Sequence, residues 1–141
     1  MTRKTLYTAG FLLTAVLSAA AAADDTIKEG KWTVTVVNTS KGLPQASVPQ
    51  TITSTSCVTN ANPIPNNKTM QGCTPPQIKK SGNMIDYSMS CDKPSFKMTS
   101  NGHVSYTGDA MEGTSKTTVT VGTNTIDTTT QITGKYLGPC K

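Results

Sequence analysis

Apolar and polar residues alternate along much of this chain. Trp32, Val34 and Val36 alternate with Thr33 and Thr35, the period of two expected of a strand with one buried face. Gly30 opens that strand, and Lys41-Gly42-Leu43-Pro44 ends it. Gln50 to Val58, with alternating threonine and serine, predicts a second strand. Asn60 to Pro76 reads as loop, because Asn-Pro, Pro-Asn-Asn and Pro-Pro break any regular pattern. After a Ser81-Gly82-Asn83 turn, Ile85, Tyr87, Met89 and Cys91 fall on one face of a strand. Phe96 and Met98 predict a short strand, and Met111–Val121 and Ile126–Tyr136 the two longest. Beyond the N-terminal segment, the only helix the pattern allows is a single turn in Asp92–Lys97 or Pro63–Gln71.

Two registers follow. Asn101-Gly102 is the strongest turn signal in the chain. A three-residue loop, Ser100-Asn101-Gly102, pairs Met98 with Val104 and Phe96 with Tyr106, so that all four share the core face. A four-residue loop, Gly122-Thr123-Asn124-Thr125, pairs Val121 with Ile126 and sets Met111 opposite Tyr136. Successive short strands with hairpin turns predict an all-β fold: an antiparallel meander, curved or closed into a small barrel, lipocalin-like in outline.

The N-terminus changes the compartment. Arg3 and Lys4 precede an apolar stretch from Leu6 to about Val16, then Ala21-Ala22-Ala23 before Asp24-Asp25. Charged start, apolar middle and small residues at the cut describe a signal peptide over residues 1–23, leaving a single β-rich domain over 24–141. The apolar stretch falls short of the ~20 residues a spanning helix needs, and no transmembrane segment is expected in the mature chain. That chain contains no arginine. Arginine is the usual reader of phosphate and guanine, so nucleic acid is not an expected partner.

Hydrophobic residues make up only 35% of the sequence, which predicts a thin core in need of covalent staples. Cys57, Cys73, Cys91 and Cys140 are an even set in an exported chain and predict two disulfides. Zinc is disfavoured, because no Cys-x-x-Cys pair occurs and His103 is the only histidine. Spacing allows three connectivities. The expected fold favours Cys73–Cys91, across the turn that brings the long loop back to the strand end, and Cys57–Cys140, clamping the terminus to the sheet.

Several features in order resemble a family of small proteobacterial periplasmic proteins catalogued as DUF3617, a domain of unknown function. They are Gly30-x-Trp32, a cysteine after the second strand, a mid-chain cysteine in a strand, Tyr106-Thr107-Gly108-Asp109 with Glu112-Gly113-Thr114, and a Gly134-Lys135-Tyr136-Leu137-Gly138-Pro139-Cys140 end. The resemblance runs from about Gly30 to Cys140. It implies an envelope location, periplasmic or secreted, and a β-rich fold. It implies no activity. Gly30-x-Trp32 also resembles the first-strand motif of lipocalins, without a second lipocalin motif to accompany it.

Candidate chemistry is sparse. His103 sits on the expected hairpin, facing outward, where a solvated residue is expected rather than a base. Asp109 and Glu112 flank a turn, and Asp109 suits an Asx-type turn. Met84, Met89, Met98 and Met111 form no Met-x-Met cluster and suit gap-filling in the core, so neither metal nor cofactor is expected. The leading reading is a non-catalytic envelope module that binds a partner protein or surface. The second is a carrier holding a small apolar ligand in a cavity lined by Trp32, Tyr87, Met89, Phe96, Tyr106 and Tyr136. The third is a hydrolase or isomerase using Asp109 or Glu112.

Overall fold

The computed structural model describes residues 27–42, 48–64 and 72–141. The expected signal peptide, Leu43-Pro44 and residues 65–71 of the long loop lie outside the described residues. Seven strands follow in chain order: β1 Gly30–Lys41, β2 Gln50–Val58, β3 Gln77–Ser81, β4 Met84–Lys93, β5 Phe96–Thr107, β6 Ala110–Val121 and β7 Asn124–Gly138. They form one antiparallel sheet in the order β2-β1-β7-β6-β5-β4-β3. β2 and β3 are its two edges and do not pair, so the sheet is a meander that stays unclosed. Among the described residues there is no helix.

Alternation decides the faces. Along β7, Ile126, Thr128, Thr130, Ile132, Gly134 and Tyr136 turn inward, while the residues between them are exposed. Through the cross-strand registers the same inner face carries Trp32, Val34, Met111, Val104, Tyr106 and Ile85. These pack into one core with Ile27, Val58, Ile64 and Ile132. Trp32 on β1 lies against Tyr106 on β5, ring centroids 5.4 Å apart. Three inter-strand steps separate β1 from β5, about 14 Å in a flat sheet. Two rings cannot bridge that distance at this contact unless the sheet curls, so the curved form of the expected fold is the one observed.

Two expected hairpins are corrected. Asn101-Gly102 is no turn: β5 runs unbroken through it, with Tyr87 paired to Gly102 across β4 and β5. A Cβ on Gly102 would sit 2.2 Å from the Tyr87 ring, so the glycine serves to seat that ring on the backbone. The turn before β5 is Pro94-Ser95 instead, with Lys93 paired to Phe96. Met98, Val104 and Tyr106 do share the buried face, but Phe96, at the strand's start, is only half-buried and outside the core cluster. The second correction is at β6–β7, where the loop has two residues, Gly122-Thr123. Val119 rather than Val121 therefore opposes Ile126, and Met111 opposes Gly134 rather than Tyr136. The turns Gly82-Asn83, Gly108-Asp109 and Gly122-Thr123 each place glycine first, at φ 58°, 56° and 60°, the left-handed backbone that a tight hairpin demands.

Cys57–Cys140 and Cys73–Cys91 are the two disulfides, the expected pairing. They close loops of 83 and 18 residues, contributing about 4.5 and 3 kcal/mol on the chain-entropy model. That rivals a typical domain stability of about 5–15 kcal/mol. Reduction should therefore unfold the protein or nearly so. Urea titrations with and without a reductant check this, and an unchanged midpoint would show that the core suffices alone.

The ring-on-glycine contact makes a separate prediction. Gly102→Ala should destabilise by about 1–3 kcal/mol through overpacking. Because the clash is with Tyr87, adding Tyr87→Ala should cost less in the Gly102→Ala background than in the wild type. Additive losses in urea denaturation would disprove the contact.

Candidate functional site

The aromatic residues named for a ligand cavity all lie on the inner face, but in two groups. Trp32, Tyr106 and Tyr136 come together, with Trp32 edge-on to Tyr106 and to Tyr136, the second pair at 5.5 Å. Trp32 and Tyr106 are almost fully buried. The Trp32 indole donates to the Lys28 carbonyl at 3.0 Å. The Tyr106 hydroxyl donates to the Pro63 carbonyl at 2.5 Å, anchoring the segment that leaves β2. Burial raises the Tyr106 phenol above its ordinary pKa, which keeps it a donor. Tyr87 packs against the edge of this core, whereas Met89 and Phe96 are half-buried farther along the sheet. A ligand at the Trp32 end would have to displace rings already packed on one another.

The acidic pair does not converge. Asp109 lies in the β5–β6 turn, where its carboxylate takes the Lys28 ammonium at 2.5 Å. That hydrogen bond raises the Lys28 pKa. The Asp109 side chain therefore holds a lysine rather than capping its own turn. Glu112 stands exposed on the outer face of β6, opposite Ser105. A third carboxylate, Glu29, accepts the Asn60 backbone and side-chain N–H groups at 2.6 and 2.8 Å. The backbone bond chiefly lowers its pKa. Asn60 also accepts from Lys80 of β3. Glu29, Asn60 and Lys80 thus tie the start of β1 and the exit of β2 to β3.

One pairing escaped the sequence. His103 is mid-strand on β5, opposite Asp86 on β4, and its Nδ1 lies 2.8 Å from Asp86 Oδ1. Both side chains are about half-exposed on the outer face, 45% and 62%. Thr114 is the next residue across the sheet. With Asn101-Gly102 read as a turn, nothing pointed to Asp86; a continuous β5 would have aligned the two. Among the described residues no cluster of three or more metal-ligating side chains occurs. The depressions beside Tyr87 and Gly102, and beside His103 and Glu112, are shallow and open.

The edges are the surfaces that differ most. β3 carries Lys79 and Lys80 in five exposed residues. β2 is longer, with nine residues, Gln-Thr-Ile-Thr-Ser-Thr-Ser-Cys-Val, none charged and none proline. Ile52 within it is 56% exposed and Val48 just before it 78%. Charge and proline are the usual devices that stop an edge strand from pairing with another chain. β3 has the first, and β2 has neither.

Residues 27–140 match the family model described as a protein of unknown function, DUF3617. No curated protein and no solved structure matches the chain.

Removing the Tyr106 hydroxyl gives a test of this end of the sheet. The folded phenol's pKa lies above that of the unfolded chain, about 10. Its contribution is present below that pH and is lost as pH rises, because the unfolded chain ionises first. Tyr106→Phe should melt at a lower temperature near neutrality and show a flatter decline above pH ~10. Parallel declines for the two proteins would contradict the buried phenol.

Proposed function

The chain belongs to the DUF3617 family of unknown function, and we propose that it acts as an exported, non-catalytic binding module of the cell envelope, engaging a protein partner along the edge strand β2. The carrying observation is the contrast between edges: β2 presents an uncharged row of backbone donors and acceptors with Ile52 exposed in its midst. An extended segment can add to such an edge through main-chain hydrogen bonds, with the exposed apolar side chain supplying contact area. Export is supported by the N-terminal pattern of residues 1–23 and by two disulfides, which persist in oxidising compartments. Among the described residues no helix is long and apolar enough to cross a membrane. Asp109 is engaged by Lys28, and His103 with Asp86 stands open to solvent, so the binding reading accounts for more of the surface than a hydrolytic one.

Site-specific photo-crosslinking in intact cells tests this. A photoreactive phenylalanine at Ile52 should give a discrete adduct from mature protein beginning at Asp24. The same group at Lys79, on the opposite edge, should give none. Equal yields at the two positions, or none at Ile52, would defeat the reading.

A further inference from the structure

We propose that the strand which pairs with β2 is β2 of a second copy of this chain, so that two sheets join edge to edge about a two-fold axis. This rests on the reading of β2 as the binding edge and names its occupant. Two copies meeting through β3 would set Lys79 and Lys80 against the same lysines, and like charges on directly paired strands repel. Two copies meeting through β2 bring no charge together in any register, because Gln50–Val58 has none.

Self-pairing also continues a pattern the sheet already has. On the outer face, Thr35 of β1 shares a hydroxyl contact with Thr53 of β2 at 3.1 Å. Thr33 sits opposite Thr55 in the same way. Threonine pairs across strands are among the favourable ones. The exposed Ile52 fixes the register: its apolar surface leaves water most fully when Ile52 opposes Ile52 of the second copy. Thr51 then opposes Thr53, and Gln50 opposes Ser54, of that copy. Inward residues stay with inward residues, because an axis perpendicular to the sheet keeps both inner faces on one side. A seven-stranded sheet becomes a continuous sheet of twice that width. One strand pair is a small contact, so the affinity belongs to the weak class, with Kd on the order of micromolar or above.

Sedimentation velocity on the mature, oxidised protein from roughly 10 to 300 μM spans that class. The wild type should pass from monomer to dimer within this range. Ile52→Lys alone and Ile52→Glu alone should each stay monomeric, since each sets like charges face to face across the axis. An equimolar mixture of the two variants should recover the dimer, lysine opposite glutamate. Ile52 is exposed, so both variants should keep the wild-type circular dichroism spectrum. A wild type that remains monomeric throughout, an Ile52→Lys variant that dimerises like the wild type, or a mixture that stays monomeric would overturn the proposal. A crosslinked adduct at Ile52 whose mass is not twice that of the chain would also overturn self-pairing, while leaving β2 as the binding edge. Absence of any adduct would remove both.

Discussion

The contact on which this structure depends is the seat of Trp32 between Tyr106 and Tyr136. The three rings come from β1, β5 and β7, and their edge-on packing forces the sheet to curl. Fully burying an aromatic side chain removes about 150–250 Å² from water, a large share of what a chain this poor in apolar residues can offer. The curl in turn gives the segment after β2 a surface to cross. Pro63 accepts the Tyr106 hydroxyl there, and Ile64 enters the core beside it. Lys80 reaches Asn60 from the opposite edge. The two edges of the sheet are thus linked at the Trp32 end by side chains and crossing chain, not by strand pairing.

Away from those rings the inner face becomes polar. Ser100 pairs with Thr117 at 2.8 Å, Ser40 with Thr128 at 2.9 Å, and Thr130 donates to Asn38 at 2.7 Å. Ser100 and Ser115 are buried. A buried hydroxyl left without a partner costs about 1–3 kcal/mol, and among the described residues no buried side-chain polar atom lacks one. Hydroxyl ladders therefore let the sheet extend past its core without penalty, though with little gain. This explains the reliance on covalent ties. Cys57–Cys140 joins the end of β2 to the chain after β7, and Cys73–Cys91 joins the segment entering β3 to β4.

Much of this was legible in the sequence, and the failures share one cause. The strands β1 and β2, the faces of β4 and β7 and the disulfide pairing all follow from alternation and cysteine placement. The two misread hairpins do not, because side-chain alternation is blind to them. Moving the Gly122 hairpin from a four-residue to a two-residue loop shifts the pairing by two, and only a slip of one changes the face of a residue. Val119, Ile126 and Ile132 point inward in both registers. Likewise Met98, Val104 and Tyr106 share a face whether the chain turns at Asn101 or runs straight through it. The information that separates the two is held by Tyr87, a strand away, whose ring needs the space that Gly102 leaves. The Asp86–His103 pair was lost with the same misreading, since only a continuous β5 brings them opposite.

Alternation says still less about edges, yet an edge is where a sheet meets its surroundings. A sequence of β-branched and small polar residues, without charge or proline, has the composition of a strand that is paired on both sides. β2 has that composition and, among the described residues, a strand on one side only. The opposite edge shows that this chain can protect an exposed strand, since β3 does so with two lysines in five residues. Proteins tend to break the rules of self-protection where function requires it. In the pairing proposed above, the unguarded β2 beside a guarded β3 is such a break, and β2 of the second copy covers the half-exposed Ile52.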